Sequence, residues 1–276
     1  MKLCVAGFGL IGGSIAASVR SRDPRARVVA VDLPHVLASD SVVRLSDRRV
    51  DATCDAEVNA AFEDSDLVVL ATPIARIGEL LPRAVAHARL VTDCGSTKRW
   101  LVALVERSER RGQFVPGHPL AGGSEGGAER ANGELFSGKR WILCPEQTHP
   151  EALAEVEAFV RGLGALPVHL SASEHDRALA LTSHVPQIVA SALAVLSARR
   201  AAQAGEGPGF ASTTRVAGGN PGVWQDILST NADEIADALR EVARELESVA
   251  VGLDGERPDL TPALDLIAGA RSLRRS

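Results

Sequence analysis

Leu3-Cys4-Val5-Ala6-Gly7-Phe8-Gly9-Leu10-Ile11-Gly12 is the stretch that decides the fold. Four apolar residues read as a short strand buried on both faces. G-x-G-x-x-G follows at once and opens an amphipathic helix over Ile11–Arg20. A bare match of that pattern means little, but this context supplies what the pattern is for. Gly7 permits the tight turn, Gly9 lets backbone approach a pyrophosphate, and Gly12 lets the helix pack close to the strand. The first N–H groups of that helix then face an anion. Leu10 and Ile11 lie inside the turn and belong to the same cofactor site. Asp32 ends the next apolar run, 20 residues after Gly12. A carboxylate there accepts hydrogen bonds from ribose hydroxyls and repels a 2′-phosphate, so the expected cofactor is NAD, not NADP.

The same alternation continues outward. Val28–Val31, Leu67–Ala71, Leu90–Thr92 and Phe114–Val115 read as strands. Helices are predicted over Ala56–Phe62, Ile74–Ala86 and Lys98–Arg110. This is the rhythm of an α/β doubly wound, Rossmann-type sheet. Later strands are predicted at Arg140–Cys144 and Leu166–Leu170, with a helix over Glu151–Leu163 between them. After about Ser171 the strands stop. Ser173–Leu196 has helical spacing with a kink or break expected at Pro186. Ala204–Gly209 reads as a loop, Asp226–Leu253 as one long helix, and Ala270–Ser276 as a frayed tail. The expected division is a dinucleotide-binding domain over residues 1–170 and an all-helical domain over 171–276. Small helical domains of this kind often bury an apolar face against a second copy, which predicts a homodimer.

Composition narrows the function classes. The 276 residues are 45% hydrophobic and 24% charged, with a net charge of −5. A mildly acidic chain whose basic residues form no run has no footprint for gripping nucleic acid. Cys4, Cys54, Cys94 and Cys144 fit no zinc spacing and read mainly as small buried hydrophobes in a reducing cytosol, so no metal is expected. No 18-residue apolar run is read, which predicts no membrane span. The N-terminus runs straight into a strand without a signal peptide's pattern, which favours the cytoplasm.

Two further loops leave strand ends on the sheet edge that faces a cofactor: Ala71-Thr72-Pro73 and Asp93-Cys94-Gly95-Ser96-Thr97-Lys98. Thr72 and Pro73 are placed in the cofactor site. Ser96 reads equally well as a helix N-cap.

Taken together, GFGLIGGS at Gly7–Ser14, ATP at Ala71–Pro73, DCGSTK at Asp93–Lys98, GHPLAG at Gly117–Gly122, SHVPQ at Ser183–Gln187 and TRVAGGNPGVWQD at Thr214–Asp226 resemble the prephenate/arogenate dehydrogenase (cyclohexadienyl dehydrogenase) family. Leu135-Phe136 adds to the match, which runs over nearly the whole chain. The resemblance implies a Rossmann-type domain followed by a helical dimerisation domain. It implies NAD-dependent oxidation at C4 of a cyclohexadienyl substrate, with loss of the ring carboxylate as CO2, on the route to tyrosine. It maps His118 as the catalytic histidine and Ser96 as its hydrogen-bonding companion. Arg215 becomes the binder of a substrate carboxylate, and His184 and Trp224 become pocket residues.

The residue types suit that chemistry. A carbon that loses hydride while bearing a hydroxyl must shed the O–H proton, and neutral imidazole accepts protons near pH 7. A guanidinium binds carboxylate bidentately. Without the family, His118 before Pro119 reads as a loop residue. Likewise His184 reads as part of a helix break, Arg215 as a surface partner of Asp226 or Glu206, and Trp224 as core. His35, His87, His149, His169 and His175 carry no functional expectation. Asp66, Asp176 and the set Glu241, Glu245 and Glu247 read as caps or solvated faces.

The chain departs from the family pattern at two places. Ser124 stands where an acid is usual, six residues after His118, with Glu125 one place later. Gln187 stands where a second histidine is common. Both positions are placed in the substrate pocket, and the loss of a cationic option at Gln187 favours an amine-bearing substrate slightly. The alternatives are therefore arogenate, giving tyrosine directly, and 4-amino-4-deoxyprephenate of a secondary-metabolite pathway. A 3-hydroxy-acid dehydrogenase would need a lysine in the helical domain, and none follows Lys139. A non-catalytic dinucleotide sensor would have no use for Ser96, His118 and Arg215 together. No appended regulatory or mutase module is expected.

Overall fold

The computed structural model describes residues 1–122 and 126–273. Six parallel strands form the main sheet: β1 Lys2–Ala6, β2 Arg27–Asp32, β3 Arg48–Asp51, β4 Leu67–Leu70, β5 Val91–Asp93 and β6 Phe114–Val115. Their order is β3-β2-β1-β4-β5-β6. The order reverses between β1 and β4, and that crevice is where a doubly wound sheet binds its ligand. Helices α1 Leu10–Arg22, α2 Pro34–Leu37, α3 Asp40–Leu45, α4 Asp55–Glu63, α5 Ile74–His87 and α6 Arg99–Val105 connect the strands. Two apolar clusters form on the sheet. One joins Leu3, Val5, Ile15, Val28 and Val69; the other joins Cys4, Ala6, Val68, Ile77 and Leu81. Alternate residues of one strand thus feed opposite layers, as burial on both faces requires.

Two strands escaped the apolar pattern. β3 is the edge strand Arg-Arg-Val-Asp, in which Val50 alone is buried, so it carries no run to read. β7, Gly117–Pro119, is separated from β6 by Pro116 alone and starts a second sheet. It runs antiparallel to β8 Arg140–Leu143, which pairs in parallel with β9 Leu166–His169. Helix α7, Pro150–Gly162, connects the last two. His118 therefore sits within a strand, opposite Ile142. The predicted helix over Lys98–Arg110 stops at Val105, because Glu106, Arg107, Glu109 and Arg110 offer no buried face beyond it.

Ser171 starts the helical part. Its hydroxyl accepts from Glu174 N (3.1 Å), and the Glu174 carboxylate accepts from Ser171 N (2.7 Å). Helix α8 spans Ala172–Leu179, a wide π-turn spans Ala180–His184, and α9 spans Val185–Arg199. The kink or break expected at Pro186 takes the form of that π-turn immediately before it, with no interruption of the helix. Pro186 falls in the first turn of α9, where its missing N–H matters least, and the π-turn absorbs the misfit. The continuous helix over 172–199 is also long and apolar enough, by length and composition, to cross a membrane, which corrects the reading of no such run. In the fold only part of it is covered: Ala180 and Val185 are buried with Ile227, Ile235 and Ala238, while Leu193, Val195 and Leu196 are exposed.

Helix α10 Pro208–Thr214 leads through a tight turn, Arg215–Gly218, into α11 Pro221–Thr230, α12 Ala232–Leu253 and α13 Thr261–Leu273. The single helix expected over Asp226–Leu253 is broken at Asn231. That residue is wholly buried, and its side chain is taken by tertiary partners: Nδ2 donates to Asp176 O (2.9 Å), and Oδ1 accepts from Arg99 Nη2 (3.0 Å). The tail expected to fray from Ala270 is helical to Leu273.

One buried ion pair joins the two sheets. Lys98 Nζ donates to the Asp93 carboxylate and to Gly117 O (2.7 Å), and both side chains are wholly buried. The second Asp93 oxygen accepts from Gly117 N (3.0 Å). Removing one member of such a pair strands the other charge. Lys98→Met is expected to lower unfolding stability by about 3–5 kcal/mol, read by urea unfolding near neutral pH. A loss below about 1 kcal/mol would mean that the pair acts like a surface bridge.

Candidate active site

The glycine turn is built as its sequence suggests. Gly7 has φ +95° and donates its N–H to Val31 O (2.9 Å). A Cβ on Gly7 would lie 2.5 Å from Thr72 N, and one on Gly12 would lie 1.9 Å from Gly7 O. A Cβ on Gly9 would meet nothing within 4 Å, so backbone there faces open space. Asp32 is half-buried and accepts from Phe8 N (2.6 Å) and Leu33 N (2.7 Å). It pins the turn, and each oxygen keeps a lone pair for a ribose hydroxyl.

A cavity of about 390 Å³ opens at this turn. Gly9, Leu10, Ile11, Thr72, Pro73 and Ser96 are in its wall, together with Cys94 and, from the helical part, Val223 and Asp226. Gly7, Gly12 and Asp32 lie outside the wall and shape it from behind. The Thr72 hydroxyl is buried there without a hydrogen-bond partner. A buried hydroxyl left over beside open glycine backbone suits a polar ligand such as a dinucleotide. Asp226 accepts from Ala75 N (3.0 Å) at the start of α5, so the helical part closes this side of the cavity. Ser96 does not cap a helix: the cap position of α6 is Lys98, and among the described residues the Ser96 hydroxyl has no bond.

The other expected residues gather in a second group. His118 Nδ1 lies 2.8 Å from His175 Nε2, and His175 Nδ1 lies 2.8 Å from Asp176 Oδ1. Asp176 also accepts Lys98 N (2.7 Å) and Arg99 N (2.9 Å), the first free N–H groups of α6. Asn231 connects the Asp176 carbonyl to His184 Nδ1, 3.5 Å away. The His184 and Trp224 rings meet edge to face at 6.0 Å. Gly219 presses against Trp224 and Gln187; a Cβ on it would lie 2.3 Å from Trp224 Nε1 and 3.0 Å from Gln187 Nε2. His118, His184, Trp224 and Gln187 are thus brought together.

Arg215 is not joined to them by a contact. It is exposed at the start of the Arg215–Gly218 turn and, among the described residues, pairs with neither Asp226 nor Glu206. Asp226 is engaged by Ala75, and Glu206 by Ser197. Ser124, like Glu125, lies outside the described residues.

His175 and Asp176 are the functional candidates missed. Of the two readings of Asp176, cap or solvated face, the structure keeps the first: it is wholly buried and accepts from the N–H groups that open α6, a helix remote in sequence. A signal existed. Buried Ala172, His175, Asp176, Leu179 and Ala180 follow the i, i+3, i+4, i+7, i+8 spacing of a helix face. Polar residues on such a face demand partners.

The electrostatics keep the imidazoles neutral. Burial pushes His118 well below the ordinary histidine value, helped by His175, Lys98 and His184. Burial also lowers His175, and it brings His184 down to about 4. Asp176 is held below the usual carboxylate range by His175 and the N–H groups of α6, although its burial opposes this.

The comparisons with known proteins agree over both parts of the chain. A prephenate dehydrogenase nucleotide-binding domain matches residues 15–168, and a prephenate dehydrogenase dimerization domain matches residues 171–264. The prephenate dehydrogenase of Bacillus subtilis is 33% identical over 270 residues, covering 92% of this chain and 70% of that protein. A solved prephenate dehydrogenase from A. aeolicus, in complex with hydroxyphenyl propionate and NAD+, superposes with a TM-score of 0.84 at 26% identity, over 99% of this chain and 97% of that one. Synechocystis arogenate dehydrogenase superposes with a TM-score of 0.79 at 28% identity, over 99% and 100%. Both family models fall in order along one polypeptide and between them span most of it, so this chain belongs to the prephenate dehydrogenase family.

Proposed function

We propose that the protein oxidatively decarboxylates prephenate to 4-hydroxyphenylpyruvate with NAD, in tyrosine biosynthesis. The observation that carries this is a neutral, half-buried imidazole, His118, three residues before Ala121 in the wall of the glycine-turn cavity. Gly7, Gly9, Leu10, Ile11, Gly12, Asp32, Thr72 and Pro73 would hold the dinucleotide, which when bound accepts a hydride from the ring carbon. His118 takes the hydroxyl proton as the C–H bond breaks, and Ser96 helps hold that hydroxyl. The bond to the ring carboxylate then breaks, CO2 leaves, and its electron pair aromatises the ring. The proton returns from His118 to the phenolate oxygen, so no net proton is consumed. Arg215 clamps a substrate carboxylate, with His184, Trp224, Gln187 and Ser124 around the ring.

The working division is residues 1–170 for NAD and 171–276 for substrate and dimerisation. Exposed Leu193, Leu196, Leu246, Val251, Leu264 and Ile267 give the helical part an apolar surface suited to a homodimer. Four free cysteines suit a cytoplasmic setting.

NADH formation is expected with prephenate, compared with arogenate under the same conditions. Silence with both would refute the reading. His118→Asn should lose roughly 10²–10⁴-fold in kcat. Because the His118 pKa is lowered, the neutral base survives to lower pH. The acid limb of kcat/KM should therefore lie below the pH of about 6.5 at which a free imidazole titrates. NADP should serve poorly, and Asp32→Asn should narrow the gap between the two cofactors. Equal kcat/KM for both in the unaltered enzyme would overturn the role of Asp32.

A further inference from the structure

His118 does not stand alone behind the cavity, and its neighbours dictate where its proton sits. Asp176 is an acceptor only, so the 2.8 Å contact requires His175 Nδ1 to carry a hydrogen. In a neutral ring, His175 Nε2 is then a lone pair. The 2.8 Å contact to His118 Nδ1 in turn requires that nitrogen to donate. His118 is left with Nδ1 protonated and Nε2 free to accept a proton. Asp176 holds this order because its own position is fixed by Lys98 N, Arg99 N and the Asn231 contact to its carbonyl.

We infer that His175 and Asp176 are positioning residues that fix His118 in the tautomer whose Nε2 is the base, and that steady the imidazolium formed when it takes the substrate's proton. The inference rests on the reading of His118 given above. No bond to carbon is made by either residue. The proton passes from substrate hydroxyl to His118 Nε2 and back, while the hydrogens on His118 Nδ1 and His175 Nδ1 stay in place. The charged and titratable groups facing His118 are Lys98 from the start of α6, His175 and Asp176 from α8, and His184 from the π-turn. Buried Asp93 pairs with Lys98 and weakens its effect on His118, and Asp176, behind His175, is the further anion that favours the cation there.

The direct test is nitrogen-15 NMR of the imidazole rings in the full-length, NAD-bound protein near pH 7, with His118 assigned from a His118→Asn sample. A protonated Nδ1 and an unprotonated Nε2 are expected; the opposite tautomer overturns the inference. Kinetics add a second arm. His175→Phe keeps a ring but removes the acceptor. It should lower kcat by roughly 10²-fold while the KM for NAD moves less than about twofold. His175→Gln, whose amide oxygen can accept from Nδ1, should recover about tenfold of that loss. Asp176→Asn should shift the acid limb of kcat/KM further down in pH, because the anion that favours imidazolium is gone. A His175→Phe enzyme with at least half of the original kcat, or an unmoved acid limb in Asp176→Asn, also overturns it. If His175→Phe does not fold, the NMR result on the unaltered protein decides. A protein that shows the expected tautomer yet oxidises neither prephenate nor arogenate would sink the proposed reaction and leave the tautomer assignment standing.

Discussion

The buried pair of Lys98 and Asp93 is the constraint on which the site depends. A charged amine and a carboxylate with no exposure are tolerated only because each finds further bonds: Lys98 to Gly117 O, Asp93 to the N–H groups of Gly95 and Gly117. Those bonds fasten the loop after β5 to the first residue of β7. Ser96 stands on the first segment and His118 on the second. The geometry between them is therefore set by an ion pair neither residue belongs to. The same lysine's backbone N–H meets Asp176, so the pair also fixes the carboxylate behind His175. One buried cation organises three segments far apart in sequence.

The helical part is attached to this arrangement by polar links more than by a large core. Arg99 grips Asp233 with both terminal nitrogens and touches Asn231, while Asp226 caps α5. The shared apolar clusters are small: Ile74 from α5, packed on Ala180, Val185, Ile227, Ile235 and Ala238, and Ile142 and Cys144 packed on Ala172 and Leu179 of α8. Polar contacts of fixed direction specify orientation more sharply than apolar area does. That suits a junction whose cavity wall takes Val223 and Asp226 from one side and Gly9 and Ser96 from the other. The π-turn over Ala180–His184 belongs to the same design, since it places His184 within reach of Asn231 and Trp224.

Much of this was legible before any coordinates. The run Leu3–Gly12 predicts strand, turn and helix because glycine alone tolerates φ +95° at Gly7 and the closeness of Gly12 to Gly7. Apolar runs find five of the six main strands, and periodicity finds most helices, since burial on one or two faces leaves a period. β3 was illegible because an edge strand with one buried residue leaves none. β7 was illegible because three residues, Gly-His-Pro, hold no pattern. The break at Asn231 was hidden for a different reason: helix spacing continues across it, and its partners lie 55 and 132 residues away.

What the sequence by itself determined is local: where most strands and helices start, and which loop takes the tight glycine turn at the edge of the sheet. The family motifs singled out Ser96, His118, His184 and Trp224 as the residues to look for. Tertiary structure alone decided which side chains face one another. His175 and Asp176 were visible as a helix-face pair, but their meaning comes from His118, 57 residues earlier, and from the open N-terminus of α6. A hydrogen bond is short-ranged and directional, so its partner is chosen by the folded path of the chain and leaves no periodic trace in the sequence.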